Sequence, residues 1–391
     1  MSQLEDNWDN LDGQIESDVE DLNEEFNDSE EKPFDADRIR VDVKPISVHQ
    51  MCQMIDADGG QINLNPEFQR RKVWKERKRK SLLIESLMLR IPIPVFYVYE
   101  DEDSVWHVVD GLQRMSTIYD FVKGNFSLTG LEYLKGSNSK YFEQLDQKYK
   151  NRINTTTLTI NVIDSLTPSQ VKFDIFRRIN TGGVPLNAQE IRNSTANKET
   201  RKFFKELVQL ESFQNATNSM NDLRMQGQEL ALRFIAFYRN YNLKTGEVIY
   251  KKGMDTYLDN AHDWLNKSSE NELRQLIDVF NNAMNNSDLL FGKFAFRRIT
   301  LDDLNPEIDT KLNPINKSLF TCVSVILHNI PNKELRKLKI GDGMLVRLAK
   351  ELLRNKDFDE SLSKGTGDPS RIKIQFQTVQ KIINEVIRDV K

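Results

Sequence analysis

The sequence predicts an α+β protein: a mixed α/β domain over residues 38–197, an α-helical domain over 198–391 and, before both, a disordered acidic tail over 1–37. Three observations predict this. Short apolar runs at Val95–Tyr99, Val105–Val109 and Thr156–Ile163 are interleaved with stretches of helical spacing. Beyond Lys198 the strand signal fades and one helical period follows another. Residues 1–31 carry thirteen Asp or Glu and no Lys or Arg, with too few aliphatics to build a core of their own.

The tail hides a charge segregation. The chain has 59 acids and 55 bases; without residues 1–31 it has 46 acids against 55 bases, so a net charge of -4 becomes +9. Such a tail reads as a solubilising leader or as a competitor of nucleic acid for the basic body. Trp8, Leu11, Ile15, Val19 and Leu22 recur at helical spacing, which would let part of it fold on a partner. No apolar run approaches the roughly 20 residues of a membrane span, and no basic-then-apolar signal opens the chain. A soluble, cytoplasmic protein without a membrane partner is expected. Cys52 and Cys322 are far apart with no Cys-x-x-Cys, so neither a disulfide framework nor a zinc site is indicated.

Order is expected from Ile39. Ile46-Ser47-Val48 leads into a short helix, His49–Asp56, stopped by Gly59-Gly60, and Ile62–Arg70 reads as extended. Residues 70–80 hold eight Lys or Arg around Trp74, and the helix continues through Leu87 and Met88 to a stop at Ile91-Pro92-Ile93-Pro94. A basic run is either a solvated helix face or a phosphate-contacting surface. Cations around an aromatic fit the second, with Arg71, Lys72, Trp74, Lys75, Arg77 and Lys78 as the nucleic-acid contacts. An acidic hairpin, Glu100–Asp103, joins the strand at Val95–Tyr99 to that at Val105–Val109. Further on come a turn at Lys123–Asn125, a short strand at Phe126–Leu128, a packing stretch with Phe142 and Leu145, and the strand at Thr156–Ile163.

The candidate site lies in Trp106–Asp120, WHVVDGLQRMSTIYD. The apolar run ends at Asp110-Gly111, and helical spacing begins at once with Met115, Ile118 and Phe121. At such a strand–turn–helix junction the first helical N–H groups lack partners and the dipole is positive, so the turn is a natural anion site. Arg114, in the first turn of the helix, does little for helix stability but could clamp a phosphate bidentately. Asp110 could hold a metal–phosphate complex, orient a water or fix Arg114; Gln113 could position a nucleophile. An ordinary turn with a surface arginine would use the same residues, since a short turn motif is weak evidence alone.

A helix over Thr167–Ile179, with Phe173, Phe176 and Ile179 on its apolar face, leads into Asn180-Thr181-Gly182-Gly183 and then a helix from Ala188. The two glycines either cap the first helix or let backbone approach a ligand. Helices are then expected at Lys202–Leu210, Leu223–Tyr241, Met254–Leu265, Glu272–Met284, Ile315–His328, Met344–Leu353 and Ile372–Val390, with a capping box at Ser269-x-x-Glu272.

Three blocks can be read together: Phe68-Gln69-Arg70-x-x-x-Trp74 with Ile91-Pro92-Ile93-Pro94; Asp110-Gly111-Leu112-Gln113-Arg114-x-x-Thr117; and Phe176-x-x-Ile179-Asn180-Thr181-Gly182-Gly183-x-x-Leu186. In this order they resemble the N-terminal domain of GmrSD-type modification-dependent restriction proteins, a ParB/sulfiredoxin-like family with ParB-like nuclease domains. The resemblance covers roughly residues 40–390. Two departures matter. The family's turn is usually Asp-Gly-Gln-Gln-Arg, and Leu112 replaces the first Gln. Larger relatives carry a C-terminal HNH-type nuclease domain, whereas His49, His107, His262 and His328 are dispersed and no His-rich metal motif follows residue 200.

The resemblance implies a ParB/sulfiredoxin-like fold for the N-terminal domain, and binding and hydrolysis of a nucleoside triphosphate, with Mg2+ as companion ion, in a DNA-linked defence or restriction system. Asp110, Gln113 and Arg114 would be catalytic; Gln69, Arg70, Gly111, Thr117, Asn180 and Thr181 would bind the nucleotide. DNA, a separate nuclease or defence subunit and a second copy of the chain are the expected partners. No residue is assigned to a resident metal. Two alternatives stand beside this: a non-catalytic nucleic-acid-binding or scaffold module, and a metal-dependent nickase pairing Asp110 with Glu67 or Glu85. His107, alone in a strand, reads as a packing residue.

Overall fold

Aliphatic residues at alternate positions give the chain a sheet, and helical spacings between them give the helices that cover it. The computed structural model describes residues 19–20, 40–64, 76–101, 103–164, 167, 171, 175, 187–242, 245–251, 253–307, 311–330, 335 and 343–389. The chain divides into two units, Glu31–Thr195 and Ala196–Lys391 with Met1–Glu30.

In the first unit β1 (Val41–Ser47), β2 (Ile62–Asn63), β3 (Phe96–Glu100), β4 (Trp106–Asp110) and β5 (Thr157–Ile163) form a sheet in the order β1-β5-β3-β4-β2. The β1–β5 and β3–β4 pairs are antiparallel, β3–β5 and β2–β4 parallel. Phe96, Val98, Val108, Ile160 and Val162 share a core with helices α1 (Val48–Asp56), α2 (Arg77–Leu89), α3 (Leu112–Val122) and α4 (Gln147–Thr155), through Met51, Leu87, Ile118 and Ile153. Tyr99, Val109 and Ile163, at the alternate positions, pack with Ile191 of α5 (Ala188–Thr195). Strands with apolar residues at both parities are covered on both faces, which gives a mixed α/β domain.

Local chemistry sets the ends of these elements. Ser47 caps α1 by accepting the Gln50 N–H at 3.1 Å. α2 stops at Arg90, left-handed at φ 64°, just before Ile91–Pro94. β1 was not legible as a strand, because most of its residues are exposed and Pro45 interrupts it, a combination that only an edge strand tolerates. Phe126–Leu128, expected as a strand, is not one: Leu128 exchanges backbone bonds with Ser139 and Lys140 at 2.7 and 3.0 Å, and Phe126 packs on Phe121. Most of the expected helix at 167–179, and the loop at 180–186, lie outside the described residues.

The second unit is built from α6 (Lys198–Gln209), α7 (Glu211–Thr217), α8 (Gln226–Tyr238), α9 (Met254–Leu265), α10 (Glu270–Phe291), α11 (Lys317–Leu327), α12 (Met344–Arg354), α13 (Lys356–Ser361) and α14 (Pro369–Asp389). Between α8 and α9 a two-stranded hairpin, Tyr241–Asn242 with Glu247–Val248, was not expected. Phe213, Phe234, Phe280 and Phe320 centre its core, with ring centroids 5.2 Å apart for Phe234 and Phe280. Ser269 and Glu272 form the expected capping box on α10. Of the acidic tail, Val19 and Glu20 are placed, and Val19 is buried in this same core, a departure from a wholly disordered leader. Among the described residues no helix is long and apolar enough to cross a membrane.

Candidate functional site

The β4–α3 junction is shaped by two local irregularities. Val98 faces Val108 but Tyr97 faces Asp110, so the register slips by one residue and Val109 is the extra one. A bulge of this kind bends a strand and re-aims the side chain that follows, here Asp110. Gly111 then takes φ 96°, and a Cβ there would meet the Phe96 ring at 2.4 Å and the Arg114 guanidinium at 3.1 Å. Glycine is needed for the conformation and for the space. α3 begins at Leu112, and its N-cap residue, Gly111, has no side chain to cap the first turn, where N–H groups have no intrahelical acceptor.

Arg114 folds back across this turn. Its guanidinium donates to Asp110 Oδ2 at 3.0 Å and to the carbonyls of Pro94 and Val95 at 2.5 and 3.2 Å, and it lies 4.7 Å over the Phe96 ring. Burial draws its pKa below the usual arginine value while Asp110 opposes the shift. The side chain is 15 % exposed, so the open clamp anticipated from sequence is a closed ion pair in this structure. Of the three roles open to Asp110, fixing Arg114 is the one the geometry displays. Three bonds do not exhaust a guanidinium with five N–H donors. Asp110 is 34 % exposed and uses Oδ2, not Oδ1, in the pair.

The other predicted residues distribute unevenly. Gln113 stands half-buried in the first turn of α3, beside the pair. Thr117, one turn on, is among the buried residues of α3. Gln69, Arg70, Arg71, Lys72, Trp74, Lys75, Asn180 and Thr181 lie outside the described residues. Arg77 and Lys78 are exposed in the first turn of α2, ahead of Arg79 and Lys80. Cations there oppose the helix dipole, so helix stability does not explain them.

Several roles were invisible in the sequence. The Pro94 and Val95 carbonyls and the Phe96 ring form the seat of Arg114, and backbone acceptors leave no mark on side-chain pattern. Glu85, 3 % exposed, accepts the backbone N–H groups of Glu132, Tyr133 and Leu134 at 3.0, 2.8 and 2.7 Å. Its one signal was a lone carboxylate within the apolar run Leu82–Met88. Committed to a loop in this way, Glu85 is lost to the nickase alternative as a partner for Asp110, and Glu67 lies outside the described residues. Among the described residues, no group of three or more His, Cys, Asp or Glu is placed to hold a metal ion. His107 is buried, stacks on Tyr99 and lies 2.6 Å from Asp101 Oδ2, so it packs as expected.

A cavity of about 410 Å³ lies in the second unit, between the hairpin turn at Thr245-Gly246 and the end of α14, and no residue of the Asp110–Arg114 turn lines it. The family model described as GmrSD restriction endonuclease, N-terminal domain, matches residues 48–197. No curated protein and no solved structure matches the chain.

Proposed function

On the premise that residues 48–197 form a domain of the GmrSD restriction endonuclease N-terminal family, we propose that this protein serves a restriction or defence system by binding and hydrolysing a nucleoside triphosphate at the Asp110–Arg114 turn. One observation carries the reading. A register slip, a left-handed glycine and a partly buried guanidinium are all focused on a single turn at a helix N-terminus whose N-cap residue is that glycine.

Phosphoryl transfer to water depends on positioning and charge stabilisation, because the metaphosphate-like transition state needs little covalent help. In the proposed reaction the α3 amides and Gly111 hold the phosphates. Asp110, through Oδ1, orients the attacking water, and Gln113 steadies it. Water oxygen bonds to the terminal phosphorus as the bridging P–O bond breaks, releasing a nucleoside diphosphate and inorganic phosphate. The remaining donors of Arg114 meet the developing charge. Mg2+, bound with the triphosphate, supplies charge neutralisation. Gln69, Arg70, Asn180 and Thr181 are proposed to complete the nucleotide shell. Leu112, where the family usually has Gln, is buried in the sheet–helix core and supplies no amide there.

The test is turnover of each nucleoside triphosphate with Mg2+ by the full chain and by Asp110→Asn, Gln113→Ala and Arg114→Ala, with thermal melts to separate unfolding from chemistry. Loss of the water-orienting carboxylate or the charge stabiliser should lower kcat by about 10²-fold or more. Wild-type protein inert toward all four nucleotides, or a folded Arg114→Ala protein with unchanged turnover, overturns the proposal. One observation favours a second reading, a nucleic-acid-binding module: the run Arg77–Lys80 set where the helix dipole disfavours cations.

A further inference from the structure

The leader holds thirteen carboxylates in its first 31 residues and no cation, yet two of its residues are built into the second unit. Ile315, fully buried, is bridged on one side by Arg297 in antiparallel fashion and on the other by Val19 in parallel. The Glu20 N–H donates to the Ile315 carbonyl at 2.9 Å. Val19 is 1 % exposed and counts among the core residues. The next residue of the seat, Asn316, is fully buried and has its whole amide engaged. Its Oδ1 accepts the Leu319 N–H at 2.9 Å, while Nδ2 donates to the Leu362 carbonyl at 2.8 Å and to Glu20 Oε2 at 2.5 Å. The Arg297 guanidinium donates to the carbonyls of Thr217 and Asn313, which holds the receiving strand in place.

These are the parts of a strand-addition peptide site: a main-chain bridge for affinity, an apolar socket and one polar clamp for specificity. We infer that the second unit carries a docking site, centred on Ile315 and Asn316, for an extended peptide in which an aliphatic residue precedes a glutamate, and that its occupant is the chain's own leader. Among the described residues of the leader, Val19 and Glu20 make this contact, through one main-chain bridge, one socket and one side-chain clamp. The contact is exchangeable, and a partner presenting the same pair of residues can displace the leader.

The experiment uses the full chain and a fluorescent peptide of residues 12–30. In the chain carrying Val19→Asp the leader should leave its seat. The peptide should then bind this chain at least tenfold more tightly than it binds wild type, where the seat is already filled. The same peptide with Val19→Asp should not bind, and with Glu20→Gln it should, because the amide oxygen still accepts from Asn316. A peptide that fails to bind the variant chain, or that binds both chains equally, overturns the inference. Should Val19→Asp prevent folding, wild-type protein gives the answer: excess unlabelled peptide should speed hydrogen exchange at the Glu20 amide, and unchanged exchange overturns the inference equally.

Discussion

A methyl group at position 111 would stand 2.4 Å from the Phe96 ring on a backbone held at φ 96°. The left-handed conformation alone costs a non-glycine residue about 1–2 kcal/mol, and the clash adds to it. Gly111→Ala should therefore lower the urea midpoint by an amount equivalent to about 2 kcal/mol or more; an unchanged midpoint would mean that the turn repacks without strain. Glu20 gives a residue-scale pH effect. Burial in its seat is the largest influence and raises its pKa, the Asn316 hydrogen bond and Arg298 pull it down, and Asp359 pushes it up. A carboxyl whose docked pKa exceeds its free value takes up a proton on docking. The advantage is full below the free pKa and fades as pH rises through the docked value. Binding of the leader peptide should thus tighten as pH falls from above the usual glutamate range into it and level off below, and the Glu20→Gln peptide should show no such trend. At this scale Asp110, Gly111 and Arg114 could be singled out from sequence because an acid, a glycine and an arginine stand where an apolar run gives way to helical spacing. The acceptors of Arg114 could not, since two are main-chain carbonyls from a connector 19 and 20 residues upstream.

Elements were legible where spacing and punctuation agreed. β3, β4 and β5 have buried aliphatics in the period their conformation demands, and α10 carries both halves of its capping box. Where burial is sparse the signal vanishes: α4 buries only Ile153, and β1 exposes five of its seven residues. Phe126–Leu128 shows the converse, apolar residues that fill a core from an irregular segment. The capping box lends itself to measurement. Ser269 accepts the Glu272 N–H while Glu272 accepts that of Ser269 at 2.8 Å. Ser269→Ala should cost about 1 kcal/mol, read as a lower melting temperature with faster amide exchange confined to the first turn of α10. Exchange spread evenly over the second unit would show that the cap serves more than its own helix.

For the whole molecule the dominant physical fact is the separation of charge, an acidic leader before a body of +9, which composition alone reveals. If the second reading holds, binding of DNA to the full chain should weaken steeply with salt, because each phosphate contact releases counterions. Replacing Arg77 and Lys78 together by Gln should then flatten the log–log salt dependence by about 2; an unaltered slope would exclude these cations from the interface. What composition could not reveal is how the fold holds the leader: helical spacing pointed Val19 toward a partner helix, whereas it sits in a β-bridge to Ile315. The fastening of Arg114 to Pro94 and Val95 has a mechanical corollary. One side chain latches the α2–β3 connector and also belongs to the proposed triphosphate site. If cargo at the turn draws that side chain away, the Ile91–Val95 segment comes unclasped. Limited proteolysis should then cut there more readily with nucleotide present, and equal cutting would mean that the latch stays shut during the reaction.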